Sequence, residues 1–236
     1  MIKEPVIASL ASIPERENFL QQTIDSVIDQ VDILNVYLNE YKKIPHFLLK
    51  KKIRYFLSSE KGDFGDAGKF FPLQYHSGFL FTLDDDLYYP SDYVSTMIKK
   101  VNLYERSSFI CVHGNLLPKN KINSYYKDKT GIHFSKLTSA DQEVDVPGTG
   151  TLAFHSSLYN VKIQDFPIPN MSDIWLFKIA QKRNIPVISI ARKNLWIKSL
   201  IVGDDKHSIY SKFSNNDSLV TQIINSTVRE INNEPV

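Results

Sequence analysis

An apolar strand that ends in three consecutive carboxylates constrains this chain more than any other feature. Gly78–Pro90 reads GFLFTLDDDLYYP, with Asp84, Asp85 and Asp86 set between an apolar run and a tyrosine pair. The run FLFTL suits a strand buried on both faces. A buried strand does not accept adjacent charges, so the acids lie at its end. Carboxylates crowd together at a cost unless a positive group or water compensates them. A divalent cation carrying a substrate phosphate is one such compensator, because hard ions take oxygen ligands from one or two carboxylates and from phosphate. The bland alternative is a solvated acidic turn ahead of a helix, favoured by the helix dipole.

The neighbouring segments supply a sheet for that strand. Val6–Leu10, Ile33–Leu38 and Ile53–Leu57 read as strands, and Leu20, Ile24, Val27 and Ile28 recur at helical spacing over roughly residues 17–29. A short helix opened by Pro45 is expected over Ile44–Lys52. Alternating strands and helices predict a parallel sheet covered by helices, which is an α/β domain. Gly62, Gly65 and Gly68 with Asp63 and Asp66 predict a loop able to approach a ligand, and its spacing is not that of a Walker loop. Phe70–His76 is expected to be helical. Ser91 is expected to cap a helix bearing Tyr93, Val94, Met97, Ile98 and Val101. Ser108–Val112 reads as a strand, Lys119–Leu137 as a long surface excursion, and Val144–Phe154 as a strand broken by a Gly-rich turn. Ser172 opens a helix, Pro186–Ile190 forms a strand, and a last helix precedes a frayed tail.

Composition narrows the class. The chain has 236 residues, 42% hydrophobic and 23% charged, enough for one domain with a sizeable core. A net charge of +2 without a dominant basic block argues against a nucleic-acid partner. The single cysteine, Cys111, excludes an internal disulfide, fits a reducing compartment and sits in an apolar run as a core residue. No apolar run reaches the roughly 20 residues of a bilayer span. The opening MIKEPVIASLASIPER lacks a signal peptide's uninterrupted apolar core and reads as the first strand.

Other residues admit two readings each. Asp173 at a helix start is either a dipole-favoured acid or a general base facing a crevice. His207, beside Asp204 and Asp205, is either exposed or a third metal ligand. Arg16 and Lys69 each follow an early strand, on the side where α/β sheets bind ligands; each is either a surface charge or a diphosphate partner.

Taken in order, ASIPER, VYLNEY, GDAGKF, FTLDDDLYYP, PGTGTLAFH and SDIWLFKIAQKRNIPV resemble a GT-A-fold glycosyltransferase of the bacterial capsule and lipopolysaccharide type, with its Asp-x-Asp motif. The resemblance spans nearly the whole chain. It implies a single domain with a Rossmann-like, mostly parallel central sheet and helices on both faces. Residues 1–105 would form the nucleotide-sugar half, 106–215 the acceptor and catalytic half, and 216–236 the last helix and tail. Asp86 and Asp84 would bind Mn²⁺ or Mg²⁺, completed by His207. Asp85 or Asp84 would contact the donor ribose, Arg16 and Lys69 the nucleotide and diphosphate, and Asp63 or Asp66 the base. Asp173 would be the base of an inverting reaction, with Gly148, Thr149 and Gly150 lining the acceptor side. Family members often carry a Glu-Asp pair where this chain has Ser172-Asp173, which leaves the role of Asp173 open. The implied partners are a nucleotide-sugar donor and a glycan or lipid-linked glycan acceptor, met in the cytoplasm or at the inner membrane face. Two alternatives stand beside this reading: a sugar nucleotidyltransferase, disfavoured because ASIPER replaces its Gly-rich basic signature, and a non-catalytic glycan-binding module.

Overall fold

The computed structural model describes residues 4–203 and 216–233. The chain opens with β1 (Val6–Ser12), α1 (Glu17–Val27), β2 (Ile33–Leu38), β3 (Ile53–Leu57) and the single-turn α2 (Ser58–Lys61). It continues through β4 (Phe79–Leu83), β5 (Leu87–Tyr88), α3 (Tyr93–Leu103), β6 (Phe109–Cys111) and β7 (Gly114–Leu116). Then follow α4 (Tyr125–Asp128), β8 (Thr130–Ile132), β9 (Gln142–Glu143), β10 (Val146–Pro147) and β11 (Thr151–His155). The last elements are α5 (Ser172–Lys182), β12 (Val187–Ser189), β13 (Lys198–Ser199) and α6 (Ser218–Asn233).

Eight strands form one sheet in the order β3-β2-β1-β4-β11-β6-β12-β9. The β3, β2, β1 and β4 strands are parallel, as the alternation of strands and helices predicts. The β11 strand runs antiparallel between β4 and β6, β12 is parallel to β6, and β9 closes the edge antiparallel. Period-two alternation on β4 serves two cores. Phe79, Phe81 and Leu83 face the cluster containing Leu20, Ile24 and Val27 of α1 and Val94, Met97 and Val101 of α3. Leu80 faces the other cluster, with Ile174, Leu176 and Phe177 of α5 and Val220, Ile223 and Ile224 of α6. Helices therefore cover both faces, and β4 is buried along its whole length. Truncating a side chain such as Phe81 to Ala costs about 3–5 kcal/mol through lost burial and the cavity left behind.

Several local expectations are corrected. The α3 helix starts one residue later than a Ser91 cap requires; Asp92 is its N-cap residue, and its carboxylate instead accepts the Trp196 indole N–H at 2.9 Å. The Gly-rich segment is not an open loop beyond Phe64. It folds as tight 3-10 turns over Gly65–Phe70 and Pro72–Tyr75, because Ala67 and Phe70 join the core and Gly68 lies flat against Tyr37, whose ring a Cβ would meet at 2.4 Å. Ile44–Lys52 forms only a 3-10 turn at His46–Leu48. The 119–137 excursion carries α4 and β8 and is tied to α6: Asn225 exchanges hydrogen bonds with the Ile122 backbone, and Thr221 Oγ1 accepts the Tyr125 N–H. Among the described residues no helix is long and apolar enough to cross a membrane.

Candidate functional site

A cleft of about 860 Å³ opens where β1 and β4 end and β11 begins. Arg16, Asp63, Asp66, Lys69, Asp84, Asp85, Asp86, Gly148, Thr149, Gly150 and Asp173 all line it. The expected site residues are thus brought together, except His207, which with Asp204 and Asp205 lies outside the described residues.

The acids leave the sheet where β4 stops and are met by the two cations. Lys69 Nζ lies 2.7 Å from Asp84 Oδ1. Arg16 Nη1 lies 3.0 Å from Asp85 Oδ1 and 3.2 Å from Asp86 Oδ2. Burial works to raise the Asp84 carboxyl, but the charge and hydrogen bond of Lys69 outweigh it and hold it below the ordinary range. For Asp85 burial prevails over Arg16 and the carboxyl is raised. Arg16 and Lys69 thus compensate the acid triplet.

Tyr89 and Gly150 fix the triplet to the opposite wall. The Tyr89 hydroxyl accepts the Asp84 N–H at 2.9 Å and donates to the Gly150 carbonyl at 2.6 Å. A Cβ on Gly150 would stand 1.8 Å from Asp84 Oδ2, so only glycine lets the carboxylate lie against this backbone.

Across the cleft, Asp173 sits in the first turn of α5, where the helix dipole favours an anion. Its Oδ1 accepts the Thr149 N–H at 2.8 Å and the Thr149 Oγ1–H at 2.6 Å. Burial pushes the Asp173 carboxyl up, against those hydrogen bonds. Ser172 opens α5 as expected, with Met171 as the N-cap residue, and bonds to Asp66 through both its N–H, at 3.2 Å, and its hydroxyl. Asp63 Oδ1 accepts the Gly65 N–H at 2.9 Å. The carboxylates expected near a base are therefore engaged with the protein, Asp63 in a local turn and Asp66 at the start of α5.

A third wall was not anticipated. β7, α4 and β8 bring His113, Asn115, Lys129, His133 and Phe134 to the cleft. Burial, with His133 and Lys129 nearby, pushes the His113 imidazole down to about 4, so it is neutral. Lys129 Nζ stands over the rings of Tyr125 at 4.7 Å and Tyr126 at 5.0 Å. These residues lie in the irregular excursion and beyond β6, where no periodic signal marks them. Asn39 Oδ1, Asp66 Oδ1, His113 Nδ1 and Asn115 Oδ1 are buried without a hydrogen-bond partner, and all belong to residues of this cleft. Orphaned polar atoms are rare in folded interiors and gather at functional sites.

For a metal, Asp84 and Asp86 could supply oxygen donors; here Asp84 is paired with Lys69 and Asp86 with Arg16. Among the described residues no three His, Cys, Asp or Glu side chains gather to hold an ion unaided. The pair suits a hard cation that completes its sphere from phosphate and water, not a closed protein cage.

No protein-family model and no curated protein sequence matches the chain. Among solved structures it is similar to the crystal structure of S. aureus TarS 1–349 in complex with UDP-GlcNAc, with a TM-score of 0.54 and 13% identity over 97% of this chain and 72% of that one. The likeness is one of fold: the chain forms a mixed α/β domain with a large, mostly parallel, Rossmann-like central sheet.

Proposed function

We propose that this chain is a metal-dependent, nucleotide-sugar-dependent glycosyltransferase of the GT-A kind, inverting, with Asp173 as general base. The observation that carries the reading is the Thr149-Gly150 dipeptide, which touches both sets of acids. Gly150 lies against Asp84 Oδ2, and Thr149 binds Asp173. Leaving-group machinery and base thus face one cleft from two sides. The fold shared with TarS, whose crystal structure carries UDP-GlcNAc, supports a nucleotide-sugar donor.

In this reading Asp173 takes the proton of an acceptor hydroxyl as its oxygen attacks the anomeric carbon. The bond from that carbon to the diphosphate oxygen breaks, and its electron pair leaves on the nucleoside diphosphate. Attack from the opposite face inverts the centre. Lys69 and Arg16 place positive charge where the diphosphate charge grows. Asp84 and Asp86 would hold Mn²⁺ or Mg²⁺, which when bound supplies Lewis-acid neutralisation of the leaving group. Gly148, Thr149 and Gly150 form the acceptor side. The resemblance to capsule and lipopolysaccharide enzymes extends the reading to hexosyl transfer onto a glycan or lipid-linked glycan in bacterial surface polysaccharide synthesis, at the cytoplasmic membrane face.

A thermal-shift panel of nucleoside diphosphates with and without Mn²⁺ tests the reading. A ligand present at about 100 times its Kd stabilises by about 2.7 kcal/mol. Metal-enhanced stabilisation by one diphosphate, followed by sugar transfer from its nucleotide sugar, is the expected result. Silence across the panel favours a non-catalytic module, and nucleoside triphosphate formed from pyrophosphate and a nucleotide sugar favours a nucleotidyltransferase.

A further inference from the structure

A continuous file of hydroxyl groups joins two carboxylates in this cleft. Asp66 Oδ2 meets Ser172 Oγ, Ser172 Oγ lies 2.8 Å from Thr149 Oγ1, and Thr149 Oγ1 lies 2.6 Å from Asp173 Oδ1. Ser172 is 0% and Thr149 2% exposed, so solvent does not supply the file. Each oxygen–oxygen contact takes one hydrogen. The file has three contacts, but its two hydroxyls carry two hydrogens. With both acids ionised, one contact is lone pair against lone pair, whichever way the hydroxyls turn. Such an unsatisfied buried contact is unfavourable, and one added proton removes it.

We infer that Asp66 and Asp173 share a single proton through Ser172 and Thr149, with Asp66 the neutral acid and Asp173 the ionised member. The Asp66 hydroxyl then donates to Ser172 Oγ, the Ser172 hydroxyl to Thr149 Oγ1, and the Thr149 hydroxyl to Asp173 Oδ1. The proton belongs to Asp66 because its Oδ1 is buried without a partner. A neutral carbonyl tolerates that better than half of a charged carboxylate does. Asp66 Oδ2 and Asp173 Oδ1 each also accept a backbone N–H, from Ser172 and Thr149, so the partnerless Oδ1 is what distinguishes Asp66. Among the described residues, the charged and titratable groups facing Asp66 are Lys69 and Asp173; those facing Asp173 are Asp66, Lys69, Asp84, Lys129, Tyr125 and Cys111. Burial is the largest influence on both carboxyls and pushes both up.

Asp66 is then a positioning residue. Its proton orients the file so that a hydrogen points at Asp173 Oδ1 while the base keeps its charge and its second oxygen. This consequence for transfer rests on the reading of Asp173 as base; the shared proton does not.

Carbon-13 NMR of aspartate carboxyls, titrated in the wild-type protein and in Asp66→Asn, Asp173→Asn and Thr149→Val, tests the pair directly. In wild type, one carboxyl stays protonated at neutral pH and titrates well above the ordinary value of about 3.9. That signal vanishes in Asp66→Asn, and Thr149→Val, which cuts the file, shifts it down. The inference is overturned if every wild-type carboxyl is ionised at neutral pH. It is also overturned if the high-titrating signal survives Asp66→Asn and vanishes in Asp173→Asn. In the transfer assay, Asp66→Ala lowers kcat by about ten-fold or more with donor KM little changed, and Asp66→Asn, which keeps a donor to Ser172, recovers part of the loss. If the NMR signal is present and no transfer is found, the shared proton stands and the glycosyltransferase reading falls.

Discussion

Replacing Lys69 with Met tests the electrostatics that hold the acid triplet. Lys69 is 3% exposed, and its Nζ lies 2.7 Å from Asp84 Oδ1. Methionine keeps much of the stem's apolar volume and removes the charge. Breaking a buried pair by removing one partner costs about 3–5 kcal/mol. The Asp84 side chain is 44% exposed, so water takes over part of its solvation, and the expected loss falls to about 1–3 kcal/mol. For 236 residues this lowers Tm by about 2–12 °C. The loss has a definite pH dependence. In wild type the Asp84 carboxyl is held low, burial opposing and Lys69 prevailing. Its stabilisation is therefore complete above the unfolded value of about 3.9 and fades as pH falls through the lower folded value. Removing the Lys69 charge lets the Asp84 and Asp173 carboxyls rise, so the variant regains stability as these carboxyls protonate in acid. The Tm gap between the two proteins is widest at neutral pH and narrows in acid. Differential scanning calorimetry between about pH 8 and about pH 4 measures it. A gap that is absent at neutral pH, or that widens in acid, refutes the assignment of Lys69 as the counter-ion of this cleft.

Other perturbations separate the remaining roles. Asp173→Asn lowers kcat by about 10²–10⁴-fold while the nucleotide-sugar Kd stays near wild type, measured by calorimetry beside steady-state kinetics; persistent turnover returns Asp173 to a helix-terminal acid. Asp86→Ala abolishes Mn²⁺- or Mg²⁺-dependent transfer with Tm retained, and full transfer by that variant removes Asp86 from the metal site. Gly150→Ala sets a methyl 1.8 Å from the present position of Asp84 Oδ2, so it costs about 1–3 kcal/mol of stability and weakens donor binding together. The Cys111 thiol is buried and pushed up to about 12, so a thiol reagent labels it only on denaturation; rapid labelling of the folded protein contradicts its place in the core.

Legibility followed periodicity. β2 and β3 were readable to the residue because runs of mostly apolar and aromatic residues are bounded by polar positions. The same logic put Asp84–Asp86 at a strand end. It failed at Gly65–Phe70, read as a loop but folded as tight 3-10 turns in which Gly68 packs closely on Tyr37. It failed again at Ser91, because a cap preference is a local tendency and the carboxylate of Asp92 was drawn to Trp196.

The sequence by itself determined the parallel half of the sheet and the strand-end acids. Those follow from side-chain periodicity and from the cost of burying charge, which act within a few neighbours. Tertiary structure alone decided partnership. Lys69 and Asp84 are 15 residues apart, Arg16 and Asp85 are 69 apart, and Asp66 and Ser172 are 106 apart. No local rule selects those pairs, since each carboxylate had several cations and hydroxyls it could have met. The choice was made by the register of β1, β4 and β11, which brings the loop ends of distant strands to one edge of the sheet and sets the acids beside their partners.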